Sequence, residues 1–67
     1  MKVEINKKSI EVAPGITTLA QLLSHEKLDG PGQAVAVDNV VVRRADRDTV
    51  TIVDGMKITV IGAVCGG

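Results

Sequence analysis

Sixty-seven residues, eight basic and eight acidic, allow one small domain without net charge, well short of the ~100–200 residues of a typical domain and burying only about 60% of the surface its unfolded chain exposes. One cysteine (Cys65) and one histidine (His25) exclude an internal disulfide and a cysteine–histidine zinc staple. The charge balance and the complete lack of Phe, Tyr and Trp exclude the basic field and the stacking platforms of nucleic-acid binders, and no apolar run approaches the ~18 residues of a membrane-spanning helix.

Val3 and Ile5 alternate with Lys2, Glu4 and Asn6, and Ile10 and Val12 alternate with Ser9, Glu11 and Ala13. Period two marks half-buried strands, and the polar stretch between them predicts an antiparallel hairpin. Pro14-Gly15 ends the second strand, because Pro14 lacks an amide for the ladder and Gly15 permits a sharp change of direction. Thr18 with Gln21 three residues later fits a capping box. Leu19, Leu22 and Leu23 then form one apolar stripe, predicting a helix from about Thr18 to His25 or Glu26. Asp29-Gly30-Pro31-Gly32 breaks the chain.

Gln33 to Val37 reads as a short strand, Asp38-Asn39 as a tight turn of residues that tolerate left-handed backbone, and Val40 to Val42 as a further strand. Arg43 to Asp48 is polar and predicts a turn or a single 3₁₀ turn. Thr49 to Val53 is β-prone, Asp54-Gly55 turns the chain, and Met56 to Val64 is the longest β-prone segment. Gly62 suggests a close approach of another backbone.

Hairpin, helix, short strands and a long last strand leave room for a crossover that lays the last strand parallel to the first. The expected architecture is α+β: a β-grasp, ubiquitin-like roll with a mixed four- to five-stranded sheet and one helix across one face. In it the leucine stripe covers Val3, Ile5, Ile10, Val12, Ile58 and Val60. Residues 1–67 form the single domain, with 63–67 as a flexible C-terminal tail.

No nucleotide loop, metal-ligand pair or nucleophile–base pair stands out, so an intrinsic catalytic site is not expected. His25 falls near the helix end, where a solvated residue or a cap is the ordinary reading. Arg43, Arg44 and Arg47 with Asp46 and Asp48 read either as a solvated turn or as a rim patch for a partner. Gly66-Gly67 is more specific. Two glycines after the longest strand make a narrow tip ending in an unobstructed carboxylate, with a reach from Gly62 of ~20 Å at ~3.3–3.6 Å per residue. From residue types alone, a functional tip and an ordinary chain end stay open.

The hairpin ending at Pro14-Gly15, Thr17-Thr18-Leu19 with Leu22-Leu23, the run Ala36-Val37-Asp38-Asn39-Val40-Val41-Val42-Arg43, the Asp54-Gly55 turn, the strand Lys57 to Ile61 and the terminal Gly66-Gly67 together resemble the small sulfur carrier proteins of thiamine biosynthesis, the ThiS family. The resemblance covers the whole length. It implies a non-enzymatic carrier with no bound cofactor or metal, whose Gly67 carboxylate is adenylated by an E1-like adenylyltransferase of the ThiF type using ATP and magnesium. A sulfur donor such as a cysteine desulfurase then supplies a persulfide, the terminus becomes a thiocarboxylate, and a ThiG-type thiazole synthase accepts the sulfur. A free cysteine and an N-terminus unlike a signal peptide favour a cytoplasmic protein, and the composition favours no nucleic-acid or membrane partner.

Cys65 departs from the commoner small inert residue before the diglycine. It reads as a small hydrophobe, as a thiol exchanging with a partner during transfer, or as an exposed thiol open to side reactions. Val41, Ile61, Val64 and Val53 are apolar beyond what a one-sided core needs, so a docking strip of Val41, Ile61 and Val64 with Arg43 is expected near the tail. The alternatives are the molybdopterin synthase small subunit, whose members tend to be longer and to carry aromatics, and a ubiquitin-like modifier or plain binding module.

Overall fold

The computed structural model describes residues 1–62. The elements are β1 (Lys2–Ile5), β2 (Lys8–Glu11), α1 (Leu19–His25), β3 (Gln33–Val37), β4 (Val40–Val42), a 3₁₀ helix (Arg44–Thr49) and β5 (Lys57–Gly62). The five strands form one sheet in the order β2-β1-β5-β3-β4. β5 is central, parallel to β1 on one side and antiparallel to β3 on the other. The last strand thus lies beside the first, as expected, at the upper end of the expected strand count.

Both hairpins turn on two residues. Asn6 and Lys7 have φ of 51° and 70°, and Asp38 and Asn39 have 49° and 69°. Positive φ at both central positions is the turn that matches the right-handed strand twist. The second pair bears out the reading of Asp38-Asn39. The helix begins with the expected capping box. The Thr18 hydroxyl accepts from the Gln21 N–H (3.2 Å), and Gln21 Oε1 accepts from the N–H groups of Thr17 and Thr18 (2.8 and 3.1 Å).

Leu19, Leu22 and Leu23 are completely buried and pack in one core with Val3, Ile5, Val12, Val35, Ile52, Met56 and Ile58, while Ile10 and Val60 are partly buried against it. The core is wholly aliphatic apart from the Met56 thioether, so its cohesion rests on burial and close packing of branched side chains.

Three expectations are corrected. Thr49 to Val53 is not a strand: Thr49 ends the 3₁₀ helix, and only an isolated bridge joins Thr51 to Thr18. Leu19 N–H donates to Val50 O and Ile52 N–H to Thr17 O (both 2.8 Å). The segment spends these backbone groups on the helix entry rather than on a ladder with the sheet. The polar run after β4 is a six-residue 3₁₀ helix rather than a single turn. At Gly62 a Cβ would meet nothing within 4 Å, so no close backbone approach explains that glycine. The last strand spans Lys57–Gly62 among the described residues; Val64, expected to end it, lies outside them.

Candidate functional site

The central strand leads to the C-terminus, so the site is built around its end. Ile61 pairs with Ala34 and Gly62 with Gln33 across β3. Five residues follow in the sequence. Val64, Cys65, Gly66 and Gly67, the predicted docking and sulfur-bearing residues of the tail, lie outside the described residues.

Strand alternation sends Val3, Ile5, Val35 and Ile58 inward, and their neighbours to the opposite face. On that outer face the two halves of the sheet differ. The β1–β2 half carries Lys2, Glu4, Ser9 and Glu11, paired as Lys2 with Glu11 and Glu4 with Ser9. The half beside the chain exit carries Val41 next to Ala36 next to Thr59, and Ala34 next to Ile61. Val41 is 70% exposed and Ile61 61%. Arg43 continues β4 in extended conformation and is exposed, its Nε 3.2 Å from Asp46 Oδ2. The structure therefore brings Val41, Ile61 and Arg43 to one face, bordering the last described strand residue. Val53 is not among them. Although exposed, it belongs to the turn beside Lys2, where Met56 N–H donates to Val53 O and Gly55 N–H to Lys2 O, at the opposite end of β5.

The arginine run divides by role. Arg44 Nη2 donates to the carbonyls of Asp29 and Gly30 (3.1 and 2.8 Å), pinning the loop after the helix. Arg47 is buried, and its Nη2 donates to Gln33 O (3.1 Å) at the start of β3. Arg43 and Arg44 are both exposed, and of the three Arg43 makes no contact outside its own turn. His25 is a solvent-exposed residue in the last helical turn, 3.2 Å from Glu26 Oε2.

Sequence reading missed two residues near the strand end. One is Arg47, since nothing in a run of alternating charges marks which member folds inward. The other is Asn6. Its Nδ2 donates to Val60 O (3.3 Å), and its Oδ1 accepts from Val60 N–H (2.8 Å).

A groove over the start of β5 is lined by Glu4, Asn6, Lys7, Asp38, Asn39, Lys57 and Thr59. Its charges are mixed, and it contains no histidine or cysteine. Among the described residues no three His, Cys, Asp or Glu side chains converge as a metal site, and no helix is long and apolar enough to cross a membrane.

The ThiS family model matches residues 2–67. The crystal structure of the thiamine biosynthesis protein ThiS from Geobacter metallireducens is similar over all of both chains, with 25% identity and a TM-score of 0.82. An NMR solution structure of a thiamine biosynthesis protein from Geobacter metallireducens is similar over all of this chain and 88% of its own, with 25% identity and a TM-score of 0.78. No curated protein matches.

Proposed function

Because the chain belongs to the ThiS family, we propose that it is a sulfur carrier for thiamine biosynthesis that bears its cargo on the Gly67 carboxylate and catalyses nothing alone. The observation that carries this reading is that the ThiS family match covers residues 2–67 and so includes Gly66-Gly67.

The chemistry asks little of the carrier itself. A carboxylate is a poor electrophile, since its charge repels nucleophiles and oxide is a bad leaving group. Attack of the Gly67 carboxylate on the α-phosphorus of ATP, with loss of pyrophosphate, creates an acyl-adenylate and splits one hard substitution into easier ones. The terminal sulfur of a donor persulfide then attacks the acyl carbon and expels AMP, giving an acyl disulfide. A thiol cleaves its S–S bond, leaving the thiocarboxylate on Gly67 and a disulfide on the donor side. The thiocarboxylate is an ionised, soft nucleophile suited to delivering sulfur into a thiazole ring.

The nucleotide, the magnesium ion and the acid–base groups belong to an E1-like adenylyltransferase of the ThiF type, and the acceptor chemistry to a thiazole synthase of the ThiG type. This chain contributes a slim tip and a surface for docking. Val41 and Ile61, with the Arg43 cation at the rim, form that surface. Contiguous exposed aliphatic groups beside an exit point suit repeated, modest-affinity encounters.

The test is intact-mass analysis after incubation with the activating enzyme, ATP, magnesium and a persulfide donor. One oxygen should be exchanged for one sulfur at the C-terminus, and a chain ending in a Gly67 amide should remain unchanged. No mass change in the native chain beside a demonstrably active enzyme overturns the reading. Conjugates to lysines of other proteins would identify a modifier instead.

A further inference from the structure

We infer that Asn6 is a positioning residue for the loading reaction: its side-chain amide stands in for the backbone groups missing where β1 turns away, and holds Val60, close to where the C-terminal segment begins. This role rests on the sulfur-carrier reading.

β1 accompanies β5 only through the pairs Glu4 with Lys57 and Ile5 with Ile58. The last main-chain bond on that side runs from Asn6 N–H to Ile58 O (2.9 Å). There the chain enters left-handed backbone at Asn6 and Lys7 and reverses into β2. β5 continues for four more residues, to Gly62, held along its other edge by β3. On the vacated edge the Asn6 amide binds both Val60 N–H and Val60 O, the two groups that a continued parallel ladder would have paired with the Asn6 carbonyl and with the N–H two residues further on.

One residue therefore meets two demands. A short amide side chain tolerates the left-handed turn, and it offers one acceptor and one donor in a plane, as a peptide group does. Few other side chains meet both demands. A carboxylate can accept from Val60 N–H but has no proton for Val60 O, and a glycine makes the turn but neither bond.

Val60 lies two residues before the end of β5, and five residues separate Gly62 from the reacting carboxylate. Misplacement by ~1 Å can already cost ~10²-fold in a reaction step. Val41 lies on β4, away from this edge, whereas Ile61 follows Val60 directly in β5, so the positioning role is read in kcat and not in KM.

The experiment compares the native chain with Asn6→Gly, which keeps the turn but deletes the amide, and Asn6→Asp, which keeps the acceptor. The readouts are adenylation kinetics with the activating enzyme, by pyrophosphate exchange over a range of carrier concentrations, and amide hydrogen exchange at Val60. Asn6→Gly should lose protection at Val60 and show a kcat about tenfold lower. Asn6→Asp should recover part of both. A purely structural defect would deplete folded carrier, raising KM while leaving kcat intact, and that result overturns the inference. So does a native kcat in Asn6→Gly once Val60 has lost its protection. If the native chain itself is not adenylated, the sulfur-carrier reading fails first and takes this role with it; failure of Asn6→Gly alone to differ leaves that reading standing.

Discussion

Truncating Val41 and Ile61 together to alanine should weaken binding to the activating enzyme without unfolding the carrier. Both side chains are about two-thirds exposed (70% and 61%), so that fraction of their apolar surface is still available for burial. Full burial of such a side chain is worth ~1.5–3 kcal/mol. Scaling by the exposed fraction, and leaving the β-carbon in place, gives about 0.7–1.4 kcal/mol per residue. The pair then contributes ~1.5–3 kcal/mol, a ten- to hundredfold rise in Kd at ~1.4 kcal/mol per decade. Exposed positions change stability by only about 0.5 kcal/mol, so the fold should persist. With no aromatic residue in the carrier, calorimetric titration reports binding and far-ultraviolet circular dichroism reports folding. Ser9→Ala, on the polar half of the same sheet face, is the control and should bind like the native chain. A double variant that stays folded and binds within about twofold of native refutes the docking surface, since no burial of the computed size would have been lost.

Leu22→Ala should be close to unfolding: Leu22 is fully buried, such truncations cost about 3–5 kcal/mol, and a chain of this length has only ~3–10 kcal/mol in total. A melting temperature lowered by less than ~5 °C, against the ~4–8 °C expected per kcal/mol, would contradict that packing. Lys7→Gly should stabilise the first hairpin by about 0.5–1 kcal/mol, because Lys7 sits at φ 70° and left-handed backbone costs a residue with a β-carbon ~1–2 kcal/mol against ~0.5–1 for the extra freedom of glycine when unfolded. Thermal denaturation checks the sign. Cys65→Ala should gain sulfur at Gly67 in the same yield as the native chain by intact mass; absence of that gain would assign the thiol a part in the transfer.

Much of this protein is written locally. The first hairpin, the Thr18–Gln21 capping box, the leucine stripe and the Asp38-Asn39 turn follow from alternation, side-chain hydrogen-bonding chemistry and tolerance of positive φ, each acting within a few residues. The surplus aliphatic Val41 and Ile61 were legible from composition, whereas residue types alone left Gly66-Gly67 open between a functional tip and an ordinary chain end, and only the resemblance to a family favoured the first. What tertiary structure alone decided depends on where distant segments meet. Pairing of β5 between β1 and β3 placed Val41, Ile61 and Arg43 on one face and sent Val53 to the far end. Pairing with the helix entry through Val50 and Ile52 kept the β-prone Thr49–Val53 segment out of the sheet. Arg47 turned inward while Arg43 stayed in solvent. Asn6 met Val60 across a separation of 54 residues, a contact no local rule encodes, because its partner is chosen by the return of the chain and its geometry by the register of the sheet.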